Sequence, residues 1–280
     1  MRDYKNDLDM HRIEIVASDM DFTLLADDKT MPENMPKLID AMSEAGMLFC
    51  AASGRPTYTL RSMFGDLSSK MGFIADNGAA ITVRDEVIFK SLIAPEVYHR
   101  LLDMTIQLGG VPNICGLDAA YLRSCDRHHD AILREFYHNI VYLDDIGGLD
   151  VEANKFTVFF PERDSERAYA EAFAPAFGSD FSVTCAGSEW IDIMNKGVDK
   201  GTGITRLCEH LGVEVADAAA FGDTHNDIQM LETAGHSFLM ANARDHMRQH
   251  ARFLAPSNND RGVAVVVEAI LAAKRSPAGR

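Results

Sequence analysis

The feature of this 280-residue sequence that most constrains its fold is a series of short apolar runs, each ending in small or polar residues. The first run, Ile13–Ala17, continues through Ser18 into two acids one residue apart, Asp19 and Asp21. In an open parallel sheet, ligand sites form at the carboxyl ends of the strands. The run therefore predicts a buried strand that ends in an acidic site.

The spacing of Asp19 and Asp21 bears on their chemistry. If the chain stays extended, alternation directs both carboxylates to one side and Met20 to the other. Such a pair can bind a hard cation, or divide into a nucleophile and an acid/base. Acidic residues after a strand are also common in solvated loops, so the pair alone does not decide between a site and a loop.

Four later segments extend this pattern. Three are apolar runs that break into polar residues, and one is a Lys-Gly-Thr-Gly stretch that opens a helical pattern. They are Met47–Arg55, Phe73–Gly78, Ala218–Asp227 and Lys200–Gly203. The alternation of strand and helix patterns up to about Val83 is typical of a doubly wound sheet.

The pattern changes between residues 84 and 193. Short strand patterns dominate there, including Val111–Cys115 and Ala119–Leu122, which together predict a hairpin. A mixed, largely antiparallel set of strands is typical of a separate α/β domain. We therefore predict a core domain at 1–83 and 194–280, with a second domain inserted at 84–193.

Taken in chain order, these segments resemble the motifs of the haloacid dehalogenase superfamily of phosphohydrolases, and most closely its Cof-type sugar-phosphatase branch, subfamily IIB. The first motif is Asp19–Leu24, with Phe22 where Gly is commoner, and the fourth is Gly222–Asp223 followed by Asn226–Asp227. The resemblance implies an α/β fold: a doubly wound, Rossmann-like parallel sheet core with an inserted α/β cap domain of the C2B type.

The resemblance also implies roles for individual residues. Asp19 is the expected nucleophile, and Asp21 the expected acid/base. Mg²⁺ is the expected cofactor, bound by Asp19, the carbonyl oxygen of Asp21 and the carboxylate of Asp223. The groups expected to bind the phosphoryl oxygens are the N–H groups of Met20 and Gly54 and the side chains of Ser53, Lys200 and Asn226.

Two residues of these motifs have alternative interpretations. Lys200 is either a phosphate-binding residue or an ordinary surface lysine, as Lys196 is expected to be. Asp227 either positions Lys200 or the metal cluster from a second shell, or only caps the helix that follows it. The Lys-Gly-Thr-Gly context favours phosphate binding for Lys200, whereas the sequence leaves the two roles of Asp227 open.

The charge and cysteine content indicate the cellular setting. There are 27 Lys and Arg against 42 Asp and Glu, and the net charge of −15 argues against nucleic acid or an anionic membrane as a partner. The five cysteines are scattered without C-x-x-C spacing, which favours a reduced, cytosolic chain. The acidic leader Met1–Asp9 does not resemble a signal peptide, and the tail Lys274–Arg280 is predicted to be disordered.

The expected function is that of a Mg²⁺-dependent phosphatase acting on a small phosphorylated metabolite through an aspartyl phosphate. A sugar phosphate is the first candidate substrate, and a cofactor phosphate such as pyridoxal phosphate the second. The alternatives are a phosphomutase of the phosphomannomutase type and a non-catalytic module that accepts a phosphoryl group. The candidate residues for reading the leaving group are Asn113, Asp118, Tyr121 and Arg123. The sequence does not indicate an oligomeric state.

Overall fold

The computed structural model describes residues 1–275, apart from the side chain of Ala186. These residues form two compact units. The first unit comprises Met1–Gly54, Phe64–Phe89 and the chain from Asp199 onward, and the second comprises Arg55–Met63 and Lys90–Val198. Each unit has its own sheet and its own apolar core.

The secondary structure alternates between strands and helices along most of the described chain. The strands are β1 (Arg2–Asp3), β2 (Ile15–Ser18), β3 (Leu48–Ala52), β4 (Gly72–Ala75), β5 (Ala80–Val83), β6 (Glu86–Lys90), β7 (Val111–Gly116), β8 (Ala120–Arg123), β9 (Ile140–Leu143), β10 (Ala153–Phe159), β11 (Phe181–Ala186), β12 (Trp190–Asn195), β13 (Ala218–Gly222), β14 (His236–Met240) and β15 (Phe253–Ala255). The α-helices are α1 (Met35–Glu44), α2 (Thr57–Phe64), α3 (Pro95–Gln107), α4 (Asp130–Leu133), α5 (Ser165–Ala168), α6 (Ala174–Phe177), α7 (Lys200–Leu211), α8 (Ile228–Thr233) and α9 (Gly262–Arg275).

The first unit is built on a sheet whose strand order, within the described residues, is β1-β15-β14-β13-β2-β3-β4-β5-β6. The strands from β1 to β4 in this order all run parallel, and β5 returns antiparallel to β4. Strand β2, which carries the first acidic motif, therefore lies in the middle of the sheet. This architecture confirms the predicted α/β fold with a parallel core sheet.

Both faces of the central strands are buried, which explains why they appear in the sequence as continuous apolar runs. Ile15 and Leu48 pack with helices α7 and α8 in one apolar cluster. Val16 and Phe49, the next residue of each strand, point to the opposite face and are no more than 1% exposed. Helix α1 packs on β3 and on α9.

The boundary of the insertion differs from the predicted one in detail. Strand β6, Glu86–Lys90, pairs with β5 and so extends the first sheet beyond residue 84. The second unit accordingly begins at Lys90, and it also takes in Arg55–Met63, which the sequence pattern placed in the core. That the first unit is a core domain and the second an inserted cap domain remains a prediction.

The second unit contains a sheet with the strand order β11-β12-β10-β7-β8-β9 within the described residues. Its neighbouring strands are antiparallel except for β8 and β9, which run parallel. Strands β7 and β8 form the predicted hairpin, with Ile114 opposite Tyr121. One face of the sheet packs against α3 and the segment from α5 to α6, in a cluster around Tyr98, Phe156 and Phe173.

The last helix changes one prediction. Helix α9 includes Lys274 and Arg275, which we predicted to be disordered, and the rest of that predicted tail lies outside the described residues. No helix within residues 1–275 is both long enough and apolar enough to cross a membrane.

Helix α7 begins with a capping box that can be tested by mutation. The Asp199 carboxylate accepts a 2.7 Å hydrogen bond from the Thr202 N–H, and the Thr202 hydroxyl accepts a 3.1 Å hydrogen bond from the Asp199 N–H. We expect Asp199→Ala to lower the free energy of unfolding by about 1 kcal/mol, because it leaves a helix N–H group unpaired. Urea denaturation measures this change. Glu209→Ala, at an exposed position near the other end of α7, is the control and should stay within about 0.5 kcal/mol of the unmutated protein.

Candidate active site

Three neighbouring strands of the first sheet end beside one another, and each is followed by a predicted site residue. In the parallel pairing of β13 with β2, Phe221 lies opposite Ser18. Asp223, Asp19 and Ser53 follow β13, β2 and β3. The Asp19 N–H donates a 3.0 Å hydrogen bond to the Phe221 carbonyl, which extends the strand pairing to the first acid. Parallel pairing therefore brings residues from distant parts of the sequence to one edge of the sheet.

Lys200, the first residue of α7, is fully buried. Its Nζ lies 2.5 Å from Asp19 Oδ1 and 2.7 Å from Asp227 Oδ1. The interpretation of Lys200 as an ordinary surface lysine is therefore wrong, whereas Lys196 is indeed exposed. A buried ammonium group requires such partners, since burial without them strongly disfavours the charge.

The Asp227 side chain makes no capping hydrogen bond to α8, so the interpretation that it only caps the helix after it is wrong. Its Oδ1 accepts from Lys200, while its Oδ2 accepts from the N–H groups of Asp223 and Thr224, over 3.0 and 3.2 Å. It therefore caps the helical turn after β13 and also holds Lys200 in place. A Cβ on Gly222 would lie 2.5 Å from the Asp227 Cβ, so only glycine leaves room for this arrangement.

Asp19, Asp223 and Asp227 form a carboxylate cluster in which one oxygen of each lies within 4.8 Å of the others. Burial raises the pKa of Asp19 well above its usual value, and the Asp227 carboxylate raises it further. The same two causes raise the pKa of Asp223 to about 6. Burial lowers the pKa of Lys200, but Asp19 and Asp227 outweigh it and the net shift is upward. Three carboxylates thus face one ammonium group.

The cluster has the chemistry of a divalent cation site. Both oxygens of Asp227 are engaged in hydrogen bonds, and Asp223 Oδ1 accepts a 3.0 Å bond from the Thr23 hydroxyl. Among the described residues, no donor reaches the second oxygen of Asp19 or of Asp223. Carboxylate oxygens are the ligands preferred by Mg²⁺ and Ca²⁺. Asp19 and Asp223 can therefore hold such a cation, whereas Asp227 orients its neighbours.

Asp21 lies in the turn that follows β2, although its own backbone angles are extended (φ −73°, ψ 129°). The chain from Met20 to Leu24 forms a π-helical turn interrupted at Asp21 and Phe22, and Phe22 has φ +60°. Strand β2 ends at Ser18, so Asp19 and Asp21 lie beyond the strand itself. That both carboxylates point to one side remains a prediction. The Asp21 carboxylate accepts a 2.8 Å hydrogen bond from Lys29 Nζ.

The predicted phosphate-binding residues fall into two places. Lys200 belongs to the carboxylate cluster. Gly54 and Asn226 are linked through Asn77: a Cβ on Gly54 would lie 3.2 Å from Asn77 Nδ2, and Asn226 Nδ2 donates to Asn77 Oδ1 over 3.3 Å. The Asn77 N–H also donates to the carbonyl of Ser53. Phosphate binding by these residues, which are Met20, Ser53, Gly54, Lys200 and Asn226, remains a prediction.

Three residues near the site received no role from the sequence. Thr23 bonds Asp223, Asn77 lies between Gly54 and Asn226, and Lys29 pairs with Asp21. Thr23 could have been found from its place in the first motif. Asn77 lies in the segment Phe73–Gly78 without a role of its own, and no local pattern indicates which distant side chain it or Lys29 contacts.

The sequence also matches a known family and known proteins. Residues 16–267 match the family model of haloacid dehalogenase-like hydrolases. The chain is 29% identical over 262 residues to the 5-amino-6-(5-phospho-D-ribitylamino)uracil phosphatase YbjI of Escherichia coli, covering 92% of this chain and 96% of the relative. It is 25% identical to an HMP-PP phosphatase of Enterobacter sp., over 82% of this chain and 84% of that protein.

The structure also resembles solved structures. A crystal structure of a protein from Eubacterium rectale superposes with a TM-score of 0.83 at 26% identity, covering 92% of this chain and 99% of the other. The family model spans most of the chain, from the strand before Asp19 to helix α9. The chain belongs to the haloacid dehalogenase-like hydrolases, the superfamily that its motifs predict.

Proposed function

We propose that this protein is a Mg²⁺-dependent phosphatase that hydrolyses a small phosphorylated metabolite through a phosphorylated Asp19. The observation that carries the proposal is the buried pair of Asp19 and Lys200, 2.5 Å apart, beside Asp223 at the carboxyl edge of the parallel sheet. The names of the relatives support the reaction, since both are phosphatases of small phosphorylated compounds.

In the first step, an Asp19 carboxylate oxygen attacks phosphorus and the bond between phosphorus and the ester oxygen breaks. Asp21 gives a proton to the departing alcohol, so that it leaves as a neutral molecule. Lys200 places a positive charge beside the nucleophile, which reduces its repulsion from the anionic substrate. Asp227 keeps the ammonium group of Lys200 at that position.

In the second step, water attacks the phosphorus of the aspartyl phosphate. Asp21, now ionised, accepts a proton from that water, and the bond between phosphorus and the Asp19 oxygen breaks. Inorganic phosphate is released and both carboxyl groups return to their initial states. One residue thus acts as acid and then as base, and no other titratable group is required for the proton.

The residues present fit Mg²⁺ as the cofactor. Asp19 and Asp223 would hold it, with the carbonyl oxygen of Asp21 as the third protein ligand predicted from the sequence. A bound Mg²⁺ supplies positive charge that favours the ionised carboxylates and offsets the charge of the phosphoryl group. Thr23 fixes one oxygen of Asp223 and thereby orients the other.

The phosphoryl oxygens would be bound by the N–H groups of Met20 and Gly54 and by the side chains of Ser53, Lys200 and Asn226. Asn77 supports this assignment, because it contacts Gly54 and accepts a hydrogen bond from Asn226. It therefore restricts where the amide group of Asn226 can point.

Of the four candidate residues for reading the leaving group, three already have partners. The Tyr121 hydroxyl donates to Asp118 over 3.0 Å, and Arg123 makes two bonds to Asp126, of 2.6 and 2.9 Å. Asn113 differs. It is 1% exposed, and its amide nitrogen and oxygen both lack a hydrogen-bond partner among the described residues.

Asn113 lies in a polar row on one face of the second sheet. Asn113 of β7 lies opposite Thr157 of β10, and Thr157 lies opposite Asp192 of β12. Residues that lie opposite one another on neighbouring strands share one face of the sheet. Thr157 donates a 2.7 Å hydrogen bond to Asp192, and the buried Lys155 Nζ lies 3.9 Å from the same carboxylate. An unpaired buried amide is unfavourable by about 1–3 kcal/mol. This row supports a leaving group with hydroxyl or ring-amide groups, as the ribityl and uracil groups named for the E. coli relative have.

The nucleophile can be tested directly. We expect Asp19→Asn to reduce phosphate release from 4-nitrophenyl phosphate by about 10³-fold or more, because the amide cannot form the aspartyl phosphate. Release of phosphate with Mg²⁺ is the measurement, and circular dichroism checks the fold. Asp9→Asn, at an exposed position near the N-terminus, is the matched control and should retain full activity. Undiminished phosphate release by Asp19→Asn would exclude the covalent path and would favour a non-covalent hydrolysis instead.

The covalent site can also be tested by ligand binding. Beryllium fluoride mimics a phosphoryl group on a carboxylate, so with Mg²⁺ it should inhibit the enzyme and raise its melting temperature by binding the folded state. Asp19→Asn should show no such rise. A wild-type protein insensitive to beryllium fluoride would contradict the assignment of Asp19 as the phosphorylated residue.

The substrate-reading role of Asn113 predicts opposite effects on stability and activity. Asn113→Leu, of similar volume, removes the unpaired amide and should raise the free energy of unfolding by about 1 kcal/mol. It should also lower kcat/KM for the best metabolite from a substrate panel. Thr105→Val is the control, because the buried Thr105 hydroxyl donates a 2.7 Å bond to the Leu101 carbonyl and its loss should destabilise the protein. A less stable Asn113→Leu protein would show that the amide is satisfied.

A further inference from the structure

The ammonium group of Lys29 lies beside two residues of the first motif, Asp21 and Phe22. Its Nζ is 2.8 Å from Asp21 Oδ1 and 4.9 Å from the centre of the Phe22 ring. Both neighbours stabilise an ammonium group, one as an opposite charge and the other through the electron-rich face of the ring. The side chain of Lys29 is therefore directed back over the first motif, although 55% of it remains exposed.

The backbone of the loop fixes where that side chain starts. The Ala26 N–H donates to the Thr30 carbonyl over 3.0 Å, and the Lys29 N–H donates to the Ala26 carbonyl over 2.9 Å. Asp28 accepts bonds from both the N–H and the hydroxyl of Thr30. Lys29 itself has φ +68°, an unfavourable conformation for a residue with a Cβ. The tight turn thus holds Lys29 in one orientation.

A second loop anchors this turn. The Asp27 carboxylate accepts bonds of 2.9 and 3.0 Å from the amide groups of Asn258 and Asn259. Asn258, which is 2% exposed, also donates to the Leu25 carbonyl. These contacts join residues more than 230 positions apart in the sequence. The turn that carries Lys29 is therefore attached to the core and not a free surface loop.

Phe22 completes the arrangement at the cost of backbone strain. It has φ +60° and is 48% exposed, although a large side chain is disfavoured in the left-handed region. Its carbonyl accepts a 2.8 Å bond from Asn242, which in turn accepts from the Asn258 N–H. Strain of this kind persists where the surrounding structure enforces it, and it points to a function.

We propose that Lys29 is a positioning residue for Asp21: by holding Oδ1, it sets the orientation of the carboxyl group that exchanges protons with the leaving group. This inference rests on the proposed function. The ion pair is exposed and so contributes little to folding, which makes a role in stability minor. Orientation matters far more, because proton transfer requires an oxygen of Asp21 within hydrogen-bond reach of the ester oxygen.

The test compares two substrates that differ in their need for a proton. The alcohol of glycerol phosphate leaves only if protonated, whereas 4-nitrophenolate is stable as an anion. We expect Lys29→Met to lower kcat/KM for glycerol phosphate by about tenfold and for 4-nitrophenyl phosphate by less than about twofold. Lys29→Arg, which retains the charge, should recover part of the loss. Asp21→Asn should show the same preference, with a larger loss on glycerol phosphate.

The control is a second lysine in a similar pair. Lys70 Nζ lies 2.7 Å from Asp40 Oδ1, and its side chain is 49% exposed against 55% for Lys29, so Lys70→Met should change neither rate. Equal losses on both substrates in Lys29→Met, or no loss on either, would overturn the positioning role. If the unmutated protein with Mg²⁺ released phosphate from neither compound, the proposed function would fail, and the role of Lys29 with it.

Discussion

The interaction on which the site depends is the buried contact of the Lys200 ammonium group with Asp19 and Asp227. A charge with no exposed surface is tolerated only when opposite charges and hydrogen bonds replace water. Lys200 therefore fixes its two carboxylates, and Asp227 in turn fixes the N–H groups of Asp223 and Thr224. One salt-bridge network thus determines the shape of two loops and the place of Asp19.

The parallel sheet makes this network possible. Strands β13, β2 and β3 are neighbours that run in the same direction, so that the residues after their last positions meet at one edge. Helix α7 then brings Lys200 to that edge with its first turn capped by Asp199. The small residue Gly222 lets Asp227 approach the backbone. The chemistry requires negative and positive groups at close range, and the strand order supplies the proximity without long, flexible loops.

The two units use buried polar groups in different ways. In the first unit, the buried polar groups of the site are satisfied by one another, which keeps Asp19 and Lys200 rigid. In the second unit, Thr157 and Asp192 bond each other, whereas Asn113 has no partner among the described residues. A network in which every group is paired holds its side chains in place. Asn113, by contrast, keeps an unfavourable unpaired amide in the interior of the second unit.

The sequence by itself determined the parallel α/β core, the hairpin of the second unit and the acids that follow β2 and β13, because strand periodicity and motif spacing are local properties. Only the tertiary structure decided that Lys200 is buried, that Asp21 lies in the turn after β2 and that Lys29 reaches it. Lys200 and Asp19 are 181 residues apart, and such contacts depend on strand order and packing. A local pattern specifies which groups are available, whereas the folded sheet specifies which of them meet.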